Sequence, residues 1–232
     1  MISSFYRKRH IRKNLLFHLF SILLSLFLLI TFPGCRNTID YFDYVSELRS
    51  NIFLVKTDNF SLRVYAVVKE SPYSTDGIPR ETFSRTEVYL IAPEGNKETY
   101  VTLQIEEKIH NGEMSYDVIK GGYYFACSSD VSSCKSIRCK IQYGDEEIEL
   151  TAPSVLTEST ITPQNALEKL RREREDVFLS LTDKYGFAGE IYLRLLFEGA
   201  PYYYIGIIDR NGNCNAFLMN AETGKILAHR QS

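Results

Sequence analysis

The sequence predicts an exported chain in two folded parts: an all-β, immunoglobulin-like sandwich over residues 51–155, then a small α+β module over residues 156–232, one long helix on a four-stranded antiparallel meander. Three observations predict it. Apolar and polar residues alternate with period two from Asn51 to Thr151, cut at short intervals by turn residues. A single amphipathic helical pattern follows Thr162, and four more alternating segments follow that. These are arguments about fold, and fold alone does not carry function.

The first 35 residues decide where the rest resides. Arg7, Lys8, Arg9, Arg12 and Lys13 precede the apolar run from Leu15, no acid occurs before Asp40, and the run stops at Gly34-Cys35. That layout is a secretory signal, and its charge bias keeps the N-terminus cytoplasmic while the remainder crosses the membrane. The stretch Phe32-Pro33-Gly34-Cys35 resembles the lipobox of bacterial lipoprotein precursors. The resemblance implies that Cys35 is lipidated, with each buried methylene of the acyl chains contributing about 0.8 kcal/mol to membrane retention. An uncleaved transmembrane anchor is the other reading, since Leu15 to Phe32 is about as long as the shortest spanning helices. Both place residues 36–232 on the extracytoplasmic face, held at the membrane.

Without the five basic residues of the signal, the chain holds 22 Lys and Arg against 29 Asp and Glu, a net charge near −7. Nucleic acid is excluded as a partner on that balance, because neutralising phosphates needs a basic surface. Residues 36–50 form a short membrane-proximal segment in which Tyr41, Phe42, Tyr44, Val45 and Leu48 have helical spacing.

Within the sandwich, Leu62, Val64, Ala66 and Val68 alternate with Arg63, Tyr65, Val67 and Lys69. Further strands fit residues 86–91, 100–106, 114–119, 123–127, 137–143 and 147–150, with turns at Asn111-Gly112, Gly121-Gly122 and Gly144-Asp145. The longest interruption, Ser71 to Arg80, carries two prolines and Asp76-Gly77, and loops at sandwich ends often bind ligands. Four cysteines follow Cys35, an even set that an oxidising compartment allows to pair. Cys127 and Cys139 are predicted to bridge, lying opposite one another about Ser133 on consecutive strands, with Cys127 to Cys134 the alternative. Their spacing is not that of a zinc site, so no metal is expected.

Residues 156–161 read as a linker. Thr162 caps a helix with Pro163 in its first turn, and Ala166, Leu167, Leu170, Val177, Phe178, Leu181 and Tyr185 form its apolar stripe up to Gly186. The strands expected next are Glu190 to Phe197, Tyr202 to Asp209, Asn213 to Met219 and Lys225 to Arg230. Alternation puts Tyr202 and Tyr204 on one face of the meander and Tyr203 on the other, which marks these three as a possible partner surface. Tyr204 to Asp209, Gly212 and the run from Asn220 to Leu227 resemble a PepSY-type domain of extracytoplasmic bacterial proteins and peptidase propeptides. The resemblance implies a noncatalytic module that restrains or senses a partner such as a peptidase.

No nucleophile elbow, zinc-protease motif or phosphate-binding glycine loop is present, and His110 and His229 stand outside any catalytic pattern. The functional expectation is a noncatalytic protein-binding or regulatory lipoprotein without cofactor. A cell-surface ligand or wall-polymer module working through its sandwich loops is the alternative. A hydrolase whose carboxylate pair assembles only in three dimensions is the third.

Overall fold

Period-two alternation becomes strand almost everywhere in the computed structural model, which describes residues 39–74, 76–95 and 97–232. A 3-10 turn, Tyr41–Tyr44, leads into β1 (Val45–Lys56), β2 (Ser61–Glu70), β3 (Thr82–Ile91), β4 (Thr99–Ile105), β5 (Lys108–Glu113), β6 (Ser115–Asp117), β7 (Gly122–Cys127), β8 (Ser136–Tyr143) and β9 (Glu146–Pro153). Two short helices follow, α1 (Pro163–Glu173) and α2 (Glu175–Ser180). A small hairpin of β10 (Thr182–Asp183) and β11 (Gly186–Phe187) comes next, then β12 (Gly189–Phe197), β13 (Pro201–Asp209), β14 (Cys214–Asn220) and β15 (Ile226–Gln231).

Nine strands form one mixed sheet in the order β15-β14-β13-β12-β1-β2-β3-β7-β6, and four form a second, β5-β4-β8-β9. Leu62, Val64, Ala66, Val88 and Leu90 of the large sheet share one hydrophobic core with Val101, Leu103, Ile137, Cys139, Ile141 and Leu150 of the small one. At the other end of the large sheet Ile191, Leu193, Tyr203, Ile205 and Phe217 are buried on the side of the helices, whose Ala166, Leu167, Leu170, Val177 and Phe178 are buried too. Tyr203 donates to the Ile161 carbonyl at 2.7 Å, and the Arg174 guanidinium lies 5.2 Å from the Phe217 ring centre.

Four expectations are corrected. The segment from Val45 is a strand, not part of an amphipathic helix, because its backbone groups are used in parallel pairing with β12. The long helix is broken at Arg174, whose φ of −131° and ψ of 45° lie outside the helical range. Its guanidinium is held by Asp176 and by His229 of β15, so the chain turns there rather than running on to Tyr185. Strands β12 to β15 do form a meander, yet not a module in its own right: β1 pairs with β12 on one side and β2 on the other, and Asp40–Ser232 is one compact unit. The bridge between Cys127 and Cys139 is not formed. Their strands belong to different sheets, Cys127 facing Thr86 and Cys139 facing Leu103 and Leu150, and all four described cysteines are free.

Turn chemistry behaves as the residues predict. Asp209 accepts the backbone N–H groups of Asn211 and Asn213, with Gly212 at φ 86°, which accounts for the cluster of Asp209, Asn211 and Asn213 as a hairpin. In the turn after β14, the Asn220 side chain accepts from Glu222 and Thr223, and the Lys169 ammonium donates to the Thr223 carbonyl. Glu147 and Glu149 sit on the solvent side of the second sheet, paired across strands with Lys140 and Arg138.

Candidate functional site

Residues directly opposite one another in antiparallel strands share a face, so the pairing register maps the side of the large sheet away from both helices and the second sheet. Across β3, β2, β1, β12 and β13 that side carries Tyr89, Glu87 and Arg85, then Tyr65, Val67 and Lys69, then Arg49 and Glu47, then Arg194 and Tyr192, then Tyr204 and Tyr202. Tyr124 of β7 extends it beyond Tyr89. The mapping passes through a register shift between Arg49 and Asn51, which turns Arg49 outward and Asn51 inward.

Aromatic and cationic groups are interleaved on this face. The Tyr65 and Tyr89 rings are 5.5 Å apart and those of Tyr89 and Tyr124 4.9 Å. Each ring also has a cation over it: Arg49 at 4.2 Å from the Tyr65 centroid, Lys120 at 4.9 Å from Tyr89, Arg85 at 5.9 Å from Tyr124 and Arg194 at 4.9 Å from Tyr192. Arg85 donates to the Tyr124 hydroxyl at 2.8 Å. Glu47 is engaged by both guanidinium arms of Arg194, and Glu87 by Lys69 at 3.0 Å and Arg85 at 3.7 Å. Arg49 makes no ion pair among the described residues, and its Nε is buried without a partner. Burial, reinforced by Glu87, pushes the Tyr89 phenol up to about 12, and burial raises Tyr124 and Tyr192 too. These hydroxyls therefore stay protonated at any physiological pH, as hydrogen-bonding groups rather than nucleophiles.

The three tyrosines singled out in sequence divide as alternation requires. Tyr202 and Tyr204 are half-buried on the tyrosine face, and Tyr203 is 1 % exposed beneath the linker on the other. Tyr204 folds back over Gly206, so a Cβ there would lie 3.2 Å from its ring. Cys127 is half-buried against the sandwich core, Cys139 lies within it, and Cys35 lies outside the described residues. Tyr65, Tyr89, Tyr124 and Arg49 were not singled out. The signal was present, since Arg63, Tyr65 and Lys69 alternate with core residues, but only strand order makes them neighbours of Arg194 and Tyr192.

The loop Ser71 to Arg80 lies at one margin of this face, with Tyr73 packed on Tyr192 at 5.9 Å. A shallow groove of about 380 Å³ beside the loop is lined by Phe42, Val45, Leu48, Val68, Pro79 and Arg80 among others. Among the described residues no group of three or more His, Cys, Asp or Glu side chains is arranged to hold a metal ion, and no helix is long and apolar enough to cross a membrane. No known family model, curated protein or solved structure matches this chain.

Proposed function

We propose that this chain is a membrane-tethered extracytoplasmic lipoprotein whose folded part is a noncatalytic protein-binding module, with the tyrosine face of the large sheet as its docking surface. The face itself carries the reading. Tyrosine and arginine are the residues that supply binding energy at protein interfaces, the first through large amphipathic area and the second through forked hydrogen bonding. Here they occupy a patch where Arg49, Arg63, Lys69, Arg85, Lys120 and Arg194 outnumber Glu47, Glu87 and Asp117, the last paired with Lys120, on a chain that is acidic outside its first 35 residues. The partner surface that complements it presents carboxylates and hydrogen-bond acceptors.

A wall polymer fits less well. Four of the tyrosine rings already carry a cation, which a stacking sugar would have to displace. The second sheet, which we read as the other layer of an immunoglobulin-like sandwich, gives the face a rigid backing, and the PepSY-like ending is read as part of that scaffold.

Photo-crosslinking residues placed at Tyr65 or Tyr124 in intact cells test the proposal, with Thr102 and Lys140 on the outer side of the second sheet as controls. The expected result is a discrete protein adduct from the first pair alone. Adducts of equal yield from both pairs, or carbohydrate adducts in place of protein, overturn it. The anchor has its own check: incorporation of labelled palmitate that disappears in Cys35→Ser.

A further inference from the structure

Several turns at one end of the large sheet meet where the folded part begins. Strand β1 starts at Val45, beside Ile191 of β12. The register puts the turn between β2 and β3, which closes on Glu70 and Thr82, at that same end. The β10–β11 hairpin that precedes β12 is there too, as is the turn between β13 and β14, which closes on Ile208 and Cys214. Gly77, Ile78 and Pro79 of the first turn, Tyr185 of the hairpin, Arg210 of the last turn and Tyr44 just before β1 line one shallow depression of about 320 Å³.

The rim of this depression is apolar and aromatic, with cations beside it. Ile78 is 57 % and Tyr185 84 % exposed, whereas Tyr41, Tyr44 and Phe187 at the same end pack on one another. The Lys184 ammonium lies 4.8 Å from the Tyr185 ring centre, and Arg210 donates its Nε hydrogen to the Asp76 carbonyl at 3.2 Å. Neither cation makes an ion pair among the described residues. Most carboxylates nearby are already in use: Asp183 accepts the Tyr185 N–H, Asp209 the N–H groups of Asn211 and Asn213, and Asp76 is gripped by the Arg80 guanidinium. Asp43, on the flank beside Pro79 and Arg80, is the exposed exception.

We propose that this end of the sheet rests on the lipid bilayer, with Tyr185 and Ile78 entering the headgroup region and Lys184 and Arg210 meeting lipid phosphates, a placement that depends on the anchor at Cys35 already proposed. Whether lipidated or at the end of a spanning run, Cys35 is at the membrane surface, and only residues 36–39 separate it from Asp40. Five Cα steps reach at most about 18 Å. The tether therefore holds these turns near the lipid at high effective concentration, so a weak contact is enough. A tyrosine ring with a polar tip and a lysine with an apolar stem are suited to that boundary. The opposite end of the strands, reached along β3 at Ile91, is about 30 Å away. It too exposes apolar side chains, Val118 and Ile119 among them, so exposure alone does not choose between the ends; the position of the tether does. Strands that stand on the membrane turn the tyrosine face sideways, toward partners held in or on the same bilayer.

The chain contains no Trp, so Tyr185→Trp and Ile119→Trp in the full-length protein each place a single fluorophore, one at either end of the strands. Each variant is reconstituted into vesicles of phosphatidylethanolamine and phosphatidylglycerol, with or without a nitroxide on the headgroup, and flotation with the vesicles is measured on the same sample. Both variants are expected to float, with emission at 185 roughly halved by the nitroxide and emission at 119 unchanged, since interfacial side chains sit about 5–10 Å into the headgroup boundary. Adding Ile78→Asp to the Tyr185→Trp chain should relieve most of that quenching while the far-ultraviolet circular dichroism stays that of the parent. Equal quenching at the two positions means that the sheet lies flat or tumbles on its tether, and no quenching at either means that it stands off; both results overturn the proposal and leave the anchor standing. Undiminished quenching in the folded Ile78→Asp chain overturns it too. Failure to float with the vesicles overturns the anchor and the proposal together.

Discussion

Tyr203 has its ring in the core and its hydroxyl on the Ile161 carbonyl, while its neighbours on either side face away. Removing that hydroxyl in Tyr203→Phe leaves the partly buried Ile161 carbonyl without its donor, so a loss of about 1 kcal/mol is expected in urea unfolding. Tyr202→Phe, on the half-exposed face, should stay within about 0.5 kcal/mol of the parent. Glu190 gives a pH dependence of opposite sign to that of most carboxyl groups. Its folded value is raised, so the stability it contributes is complete below the ordinary carboxylate range and is lost as pH rises through about 7. Melting temperature should therefore fall by a few degrees between about pH 5 and about pH 8, and Glu190→Gln should flatten that slope. Burial drives the Cys139 thiol up to about 12, so alkylating reagents should modify it only after unfolding, with the half-buried Cys127, Cys134 and Cys214 modified first.

At the level of elements, the start of α1 was legible and its end was not. Thr162 accepts from the Asn165 N–H and Pro163 opens the first turn, as capping chemistry predicts, and Thr162→Ala should cost about 1 kcal/mol measured by thermal or urea unfolding. The break at Arg174 depends on His229, Asp176 and Phe217, two of them more than forty residues away, and no local pattern encodes a partner that distant. Strand β1 was missed in part for a similar reason. Its register shifts at both the Val45 and Arg49 ends, so Val45, Leu48, Asn51 and Phe53 do not alternate with a single phase. Where pairing was regular, as in β2, β8 and β13, period two sufficed to assign every side chain to its face.

Over the whole molecule, the nine-stranded sheet makes the C-terminal third dependent on the N-terminal strand. Cutting before Thr162 strips β1 from β12, exposing that strand's hydrogen-bonding edge beside Ile191 and Leu193. The isolated fragment 162–232 is therefore expected to be unfolded or aggregated by circular dichroism and sedimentation, and the intact chain to lose both sheets in one cooperative transition. A soluble fragment with a sharp melting transition would mean that the β1–β12 pairing is dispensable.

Sequence by itself determined what depends on near neighbours: the strand-rich class, the turn at Asn211-Gly212, the capped helix start, and the separation of Tyr203 from Tyr202 and Tyr204. It also supplied the proposal that the chain is exported and anchored, which rests on residues before Asp40. Only the tertiary structure decided which strands lie side by side. Parallel pairing of β1 with β12 joins residues about 145 positions apart, and from that one adjacency follows the continuous tyrosine face. Alternation tells which face a residue points to, but not which strand lies beside it. That is settled by burying two apolar surfaces at once, against the helices and against the second sheet, a condition on the whole chain that no local pattern contains.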